Sequence, residues 1–525
     1  MKIKILLLSL FLLNSLFVLS QDKYWVFFKD KEGVEFNPYD YFETKAIERR
    51  IKNNIPIDDI SDYPLNKTYL AKVNNIVDSI GVETRWFNAV QVWTNQNQIE
   101  ELLQLNFVTE VRAMGLIPVL ANYKIEAHNL RDDFWNIRNK QIQSMEGQLF
   151  AAKNINGKGV RIAIFDGGFP MVDQDSAFSH IRKQNRIKAT YDFTKNKENV
   201  YYSNTHGTMV LSNIAGLYEN EKLGLATSSE FLLAKTEIGL EPFAEEEYWL
   251  AAVEWADKNG ADIINSSLGY THQRYFREQM DGTSLVAQAG NLAFSKGILV
   301  VNAAGNEGEQ DFWKYIGTPA DAENVLSIGG IDPETDFHIS FSSYGPTADG
   351  RMKPNVSAMG EAVVVSNKGV TIAQGTSFAS PLVAGFAACV LQMNPNYTVK
   401  QLFDEIEKSA QLYPYYDYAH GYGIPKASYF TSKNKEKTHA TFRFVKNGNI
   451  LTVSLFENIP TKIGQKNYLY YHVSKENGFL KDYALIDVYQ QKALEFNLDD
   501  YDEKTVIRVF YKGYLKEYFL NQITE

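Results

Sequence analysis

Three polar residues lie where apolar runs end or helix-like patterns begin. Asp166 closes the apolar run VRIAIFD and precedes two glycines, which permit a sharp turn. His206 precedes the helix-like segment TMVLSNIAG, and Ser377 follows Gly375-Thr376 at the start of an apolar segment with helical spacing. A serine hydroxyl needs a neighbouring base, which histidine provides, and a buried carboxylate holds the imidazole in the required tautomer. The three residue types together predict nucleophilic acyl transfer.

Each residue alone also has an ordinary structural explanation: a turn aspartate, a surface histidine and a helix-capping serine. We expect Ser377 at a helix N-terminus, with Pro381 in the first turn, where its missing N–H has no consequence. The helix dipole and free N–H groups would there favour a developing oxyanion. The order Asp, His, Ser, and Ala379 in place of the last glycine of G-x-S-x-G, disfavour an α/β-hydrolase.

The sequence around these residues resembles the subtilases, the subtilisin-like serine peptidases of family S8. The three segments that carry the resemblance are IAIFDGG, HGTMV and GTSFASPLVAG. Further matches, within about Gln141 to Ser428, are SSLG, NAAGNEG, TPADAENVLSIGG, FSSYGPTADGRMKPNVSAMG and GYGIPKA. The resemblance implies that Asp166 orients the imidazole, His206 is the general base, Ser377 is the nucleophile and Asn306 donates to the oxyanion.

The resemblance also implies the walls of the pocket for the residue before the cut. They are small or apolar, namely Ser267, Leu268, Gly269, Ala303, Ala304 and Gly305. We therefore expect a large apolar side chain there; the neighbouring Glu307 would instead favour a basic one. The chain departs from the family's common HGTHVAG at Met209, Leu211 and Ser212, and has Asp-Gly-Gly where Asp-Ser-Gly or Asp-Thr-Gly is commoner. Neither departure removes a catalytic group.

Three elements of organisation would position these residues. In residues 121–430, apolar strands alternate with amphipathic helices, which predicts an α/β domain: three layers around a mainly parallel sheet. Residues 21–120 read as a small α+β domain, with strands at Tyr24–Phe28, Thr68–Val73, Ala89–Thr94 and Val108–Met114, and helices at 73–81 and 96–105. After a charged linker at 431–438, alternating aromatic and β-branched residues predict a β-sandwich-like domain at 439–525.

The resemblance gives the flanking domains their expected roles. Residues 21–120 would be a prodomain that assists folding, inhibits the site and is removed by a cut between Leu116 and Ile137; a permanent accessory domain is the alternative. The C-terminal domain could serve adhesion, folding or secretion. Residues 1–20 have two lysines, an apolar run and a small-residue exit, which favours a secretory signal peptide over a membrane anchor. The expected location is extracellular, at the cell surface or periplasmic.

Composition narrows the possible partners. The net charge is −10 and no basic stripe occurs, which argues against nucleic acid. We expect protein or peptide substrates and no membrane span. The single cysteine, Cys389, precludes an intrachain disulfide and is expected to be a small buried apolar group. The chemistry needs no cofactor; the family often binds structural calcium, but no metal ligands can be assigned. A non-enzymatic scaffold and a small-ester hydrolase remain the competing functions.

Overall fold

The computed structural model describes residues 22–114, 134–238, 242–432, 439–456, 467–489 and 493–521. The predicted signal peptide and most of the predicted linker and maturation segment lie outside these residues.

The N-terminal unit is a four-stranded antiparallel sheet in the order β2-β3-β1-β4. Its strands are β1 Asp22–Phe28, β2 Ser79–Thr84, β3 Ala89–Thr94 and β4 Val108–Ala113. Its helices are α1 Pro38–Tyr41, α2 Thr44–Lys52, α3 Lys67–Asn74 and α4 Gln96–Leu103, with a 3₁₀ turn at Ile60–Asp62. Asn95 and Gln98 form a capping box at α4.

Two local predictions for this unit are wrong. Residues 68–73 form helix α3 rather than a strand, because Asn66 caps them by accepting the N–H groups of Thr68 and Tyr69. Tyr69 then stacks on Phe107 with ring centroids 4.0 Å apart. Of the helix predicted for residues 73–81, only the first two residues are helical, as the end of α3, and the last three belong to β2. The alternation of apolar and polar residues in this segment favoured a strand, but the helix cap and the packing of the helix on the sheet decided the structure.

The central unit contains a seven-stranded parallel sheet in the order β13-β12-β11-β10-β5-β9-β6, which confirms the predicted α/β fold. Its strands are β5 Arg161–Asp166, β6 Ile187–Asp192, β9 Glu230–Lys235, β10 Ile263–Ser266, β11 Leu299–Ala303, β12 Val325–Ile331 and β13 Val356–Met359. Two small hairpins are β7 Leu217–Tyr218 with β8 Glu221–Lys222, and β14 Glu361–Ser366 with β15 Gly369–Gln374.

Helices cover both faces of this sheet. They are α5 Phe134–Gln143, α6 Gly147–Ala151, α7 Ser179–Arg182, α8 His206–Ala215, α9 Pro242–Lys258, α10 Leu285–Ser295, α11 Thr376–Met393, α12 Val399–Lys408 and α13 Ser428–Thr431. Among the described residues, α11 alone has the length and apolarity of a membrane span, but it is a core helix and is mostly buried. Burial in α11 raises the pKa of Cys389 to about 12, as expected of an unreactive apolar group.

The C-terminal unit consists of two antiparallel sheets around one apolar core, as the predicted β-sandwich requires. One sheet contains β16 Phe442–Asn447, β17 Ile450–Leu455 and β20 Ala493–Asn497. The other contains β18 Tyr468–Ser474, β19 Leu480–Asp487, β21 Val506–Tyr511 and β22 Tyr514–Phe519.

Hydrogen bonds join the C-terminal unit to the central unit. The Tyr415 hydroxyl donates to the Tyr471 carbonyl at 3.0 Å, and the His472 imidazole donates to the Tyr416 carbonyl at 2.6 Å. Tyr415 also packs into an apolar cluster with Tyr470 and Phe510. The two units therefore share a polar and aromatic joint.

Candidate active site

The fold places Asp166 and His206 in direct contact. Asp166 ends the fully buried strand β5 at the carboxyl edge of the sheet, and its carboxylate accepts the Gly167 N–H at 2.7 Å. His206 is the first residue of α8, where its N–H donates to the Asn204 side chain. The imidazole Nδ1–H donates to the Asp166 carboxylate, with oxygens at 2.9 and 3.1 Å. This bond sets the tautomer and turns Nε2 away from Asp166.

Two glycines permit this contact. Gly168 has φ +144°, and a Cβ there would lie 2.2 Å from the Tyr202 carbonyl oxygen. A Cβ on Gly207 would lie 2.4 Å from the Gly168 carbonyl oxygen and 3.0 Å from the Asp166 Cβ. The first turn of α8 therefore lies directly against the end of β5. A side chain at Gly168 or Gly207 would clash with backbone atoms, which explains glycine at both positions.

Ser377 is the second residue of α11 and is 6% exposed. The preceding helix cap, Gly375, has φ +145°. The ring of the next residue, Phe378, contacts the His206 imidazole, with centroids 5.5 Å apart. The structure thus brings Asp166 and His206 into contact and places the first turn of α11, which carries Ser377, close to the imidazole.

The expected place of Pro381 is wrong, and the correction reveals a pair of hydrogen bonds. Pro381 lies inside α11 rather than in its first turn, so it cannot donate to the carbonyl of Ser377 four residues earlier. The Ser267 hydroxyl donates to that carbonyl at 3.0 Å instead. In return, the Ser377 hydroxyl donates to the Ser267 carbonyl at 3.0 Å.

Asn306 is oriented by the residue that precedes Ser377. Its amide oxygen accepts the backbone N–H of Thr376 at 2.9 Å and the Thr376 hydroxyl at 3.0 Å. The amide nitrogen consequently points the other way, and lies 3.6 Å from where a Cβ of Gly375 would be. The arrangement offers an N–H donor next to the N-terminus of α11, where an oxyanion would form.

The six predicted pocket residues lie on two adjacent segments at the carboxyl ends of the parallel strands β10 and β11, with Ala303 as the last residue of β11. The Asn302 side chain joins the segments by donating to the carbonyls of Leu268 at 2.9 Å and Ala303 at 2.8 Å. Ser267, Leu268, Ala303 and Ala304 are buried, whereas a Cβ on Gly269 would meet only the Thr318 carbonyl oxygen at 3.8 Å. Open space therefore remains above Gly269.

Glu307 is held by local hydrogen bonds. Its carboxylate accepts the Asn306 N–H at 2.8 Å and the Ser343 hydroxyl at 3.0 Å. Burial raises the pKa of this carboxyl above its ordinary value. These contacts tie Glu307 to the loop that carries Asn306 and reduce its capacity to pair with a basic substrate side chain.

The supporting roles of three residues were not predicted from the sequence. Thr376 orients Asn306, the Ser267 hydroxyl replaces the missing N–H of Pro381, and Phe378 contacts His206. For Thr376, the sequence contains one local indication of a role, because Thr376 lies between Gly375 and the candidate nucleophile Ser377. The others depend on contacts between distant segments. Among the described residues, no group of three or more His, Cys, Asp or Glu side chains is arranged to hold a metal ion.

Comparison with known proteins agrees with this geometry. Residues 157–439 match the subtilase family, and residues 23–128 match the peptidase S8 propeptide domain of Bacteroidota. Subtilisin of Bacillus pumilus is 30% identical over 275 residues, which cover 51% of this chain and 90% of that protein. Alkaline elastase YaB of Bacillus sp. is 29% identical over 304 residues, which cover 57% and 71%. The chain belongs to the subtilase family and is a serine-type endopeptidase with an N-terminal propeptide domain.

A solved structure extends the likeness to nearly the whole fold. Fervidolysin from Fervidobacterium pennivorans, a keratinolytic enzyme related to subtilisin, aligns with a TM-score of 0.54 and 17% identity. The alignment covers 93% of this chain and 70% of that chain. It supports an architecture in which a propeptide domain precedes the subtilisin-like domain and a β-rich region follows it.

Proposed function

We propose that the protein is exported by its signal peptide as a zymogen, cuts off its own prodomain and then hydrolyses peptide bonds through an acyl-enzyme intermediate. Ser377 attacks the carbonyl carbon, and His206 takes the hydroxyl proton and passes it to the leaving amine. Asp166 holds the imidazole, and Asn306 donates to the oxyanion. The chemistry needs no cofactor. The observation that carries the proposal is the contact between Asp166 and His206, close to the α11 turn that carries Ser377.

The proposal includes the domain limits predicted above: signal peptide 1–20, prodomain 21–120, catalytic domain 121–430, linker 431–438 and accessory domain 439–525. The prodomain is the intramolecular inhibitor, and the mature protein acts outside the cytoplasmic membrane. Before attack, the Ser377 hydroxyl must exchange its bond to the Ser267 carbonyl for one to His206. The small pocket walls and the engaged Glu307 support a large apolar residue before the cut.

Intact mass and active-site labelling of the secreted protein test this proposal. We expect the wild type to lose about 100 residues at its N-terminus and to react with a fluorophosphonate at Ser377. Ser377→Ala should remain one unprocessed species that retains residues from near Gln21. Ser380→Ala is the matched control: it removes a buried serine hydroxyl three residues later, which donates to Asn265, and should be both processed and labelled.

Three outcomes would redirect the assignment. Trimming of purified Ser377→Ala like the wild type would show that maturation occurs in trans. A processed wild type that forms no adduct would favour a non-enzymatic scaffold. Rapid turnover of small esters without turnover of a protein substrate would favour the acyl-hydrolase reading.

A further inference from the structure

Residues 36–63 leave the N-terminal sheet and reach across the central unit; we call them the clamp. The clamp contains α1, α2 and the 3₁₀ turn. The Glu43 N–H donates to the Lys258 carbonyl at 3.0 Å, and the Lys45 ammonium donates to the Gly159 carbonyl at 2.8 Å. The Asn53 side chain accepts the Val399 N–H at 2.7 Å, at the start of α12. The clamp is thus in contact with several separate segments of the central unit.

Two buried arginines of the clamp contact one aspartate of the central unit. The Arg49 guanidinium donates to the Asp257 carboxylate and, at 2.6 Å, to the Ala261 carbonyl. Arg50 donates to the other Asp257 oxygen at 2.5 Å and to Asp62 of the clamp at 2.8 Å. Asp257 therefore lies between two cations that both belong to the N-terminal unit.

A lysine of the central unit makes the reciprocal contact. The Lys296 ammonium donates to the carboxylates of Asp59 and Asp62, at 2.8 and 3.2 Å, and to the Ser61 hydroxyl at 2.6 Å. All three acceptors belong to the clamp. The cluster as a whole contains three cations, Arg49, Arg50 and Lys296, and three anions, Asp59, Asp62 and Asp257, so its charges balance.

Because these charges are buried, the ion pairs are favourable only when the two units are in contact. Arg50 is 0% exposed, and Arg49, Asp62, Asp257 and Lys296 are each at most 2% exposed. A buried charge that loses its partner is strongly unfavourable, so the cluster fits only when both units supply their charges. Separation of the two units requires that all its interdomain ion pairs break together.

The two surfaces also fit closely in shape. Gly260 and Gly297 both have positive φ, +71° and +87°. A Cβ on Gly260 would lie 2.8 Å from the Lys45 Cβ, and one on Gly297 would lie 2.7 Å from the Asn53 Nδ2. The backbone of the central unit therefore approaches the clamp closely at two points where glycine also suits the positive φ.

The clamp lies at the sheet edge opposite the triad. Arg161 begins β5 and contacts Glu43 at 2.5 Å, and Asp262, directly before β10, pairs with Lys45 at 2.9 Å. Asp166 ends the same strand β5, and six strand residues span about 20 Å. Clamp contacts at the amino edge consequently do not compete with a peptide in the cleft at the carboxyl edge.

We propose that the clamp is a second docking surface, which retains the cleaved N-terminal domain on the catalytic domain through the balanced ion-pair cluster. The occupant of this surface is the chain's own prodomain, so the inference rests on the proposed self-processing. Cleavage and activation are then separate steps, and the loss of clamp contacts limits release.

The clamp can be altered without any change to the mature enzyme, because Arg49 and Arg50 leave with the cleaved domain. In the double variant Arg49→Gln/Arg50→Gln, the lag between cleavage, followed by intact mass, and activity on a small peptide substrate should shorten at least about tenfold. The final specific activity should equal that of the wild type. Lys67→Gln removes one exposed charge from α3, outside the clamp, and should not change the lag.

Lys45→Gln serves if the double variant fails to fold, since Lys45 is partly exposed and its ion pair with Asp262 is peripheral to the cluster. It should shorten the lag by about threefold. An unchanged lag in both variants would overturn the proposal, as would a wild-type N-terminal fragment that does not co-elute with the enzyme after cleavage.

A second experiment does not depend on self-processing. In a Ser377→Ala chain, a recognition sequence for a site-specific protease replaces residues 124–130, the chain is cut, and fragment dissociation is followed by size-exclusion chromatography. Arg50→Gln and Asp257→Asn should each raise the dissociation rate at least about tenfold, and the pair together by less than the product. If neither variant raises the rate, the clamp is not the retaining surface. Failure of self-processing alone would appear only as an uncut wild-type chain.

Discussion

Thr376 donates both its backbone N–H and its hydroxyl to the amide oxygen of Asn306, so the residue before the proposed nucleophile orients the proposed oxyanion donor. Because these bonds connect the α11 N-terminus to the loop after β11, Ser377 and Asn306 are positioned as one unit. A change in either segment is expected to affect catalysis more than binding.

The first prediction concerns this coupling. Asn306→Ala should lower kcat by about 100- to 1000-fold with little change in KM, because its amide acts on the oxyanion rather than on the bound substrate. Thr376→Val keeps the N–H but loses the hydroxyl, and should lower kcat by about tenfold. Thr376→Ser, the control, should retain near wild-type kcat. Steady-state kinetics on one peptide decide it; equal effects on kcat and KM would contradict the assigned roles.

The second prediction concerns Ser267 and Pro381. Ser267→Ala should leave the buried Ser377 carbonyl without its donor and cost about 1–3 kcal/mol. Pro381→Ala supplies an N–H four residues after Ser377, so the double variant should recover stability. Thermal-inactivation half-lives of inhibitor-blocked enzyme measure both effects. If the stability losses of the two single variants simply add in the double variant, then Ser267 and residue 381 do not act on the same Ser377 carbonyl.

The third prediction concerns pH and the prodomain. Glu254 in α9 accepts the Thr84 hydroxyl and the N–H groups of Arg85 and Trp86, yet burial beneath the N-terminal sheet raises its pKa to about 7. Once released, an exposed glutamate has a pKa of about 4.3. The bound state therefore takes up a proton between these values, and prodomain binding should weaken as pH rises from about 4.3 to 7.

Fragment dissociation from a cut Ser377→Ala chain, measured from pH 5 to pH 8, tests this dependence. Burial also raises the pKa of Glu247 to about 7, beside Lys23 of the N-terminal unit, so the two carboxyls act in the same direction. Glu254→Gln should remove part of the pH dependence of fragment dissociation, and Glu247→Gln should remove the rest. Tighter binding at pH 8 than at pH 5.5 would contradict the sign.

The fourth prediction concerns the pocket. Peptide-library cleavage should favour a large apolar residue before the cut, and Glu307→Gln should leave that order unchanged because Asn306 and Ser343 already engage the carboxylate. Gly269→Val should fill the open space and lower kcat/KM for a phenylalanine substrate about tenfold or more, with less effect for alanine. Strict preference for arginine or lysine would reverse the assignment.

The sequence predicted the parts of the site that depend on short-range patterns. Asp166 was found at a strand end, and Ser377 at a helix start, because apolar periodicity locates both. The bonds between Ser267 and Ser377 were not predictable, since they join residues 110 positions apart and depend on how α11 meets β10. The same holds for the clamp: Arg49 and Arg50 look like solvated surface until the fold brings Asp257 to them.

The wrong predictions have a local cause. Residues 68–73 mix apolar and polar side chains in a pattern that fits a short strand, and only the cap at Asn66 and the stacking of Tyr69 on Phe107 select the helix. For Pro381, the error was the assumption that a helix proline lies in the first turn. Another segment supplies the missing donor here, an arrangement that local sequence rules do not include.

The C-terminal unit is held to the central unit by noncovalent contacts of the kind that join separate subunits, in addition to the covalent connection. Tyr415 and Tyr416 bind strand β18 by hydrogen bonds, and the hydroxyl of Tyr418 accepts the Leu480 N–H at 3.1 Å. The predicted linker, residues 431–438, would then act as a tether that sets a high effective concentration for this interface. Lengthening the linker should weaken docking only slowly, whereas loss of the tyrosine contacts should release the module at any linker length.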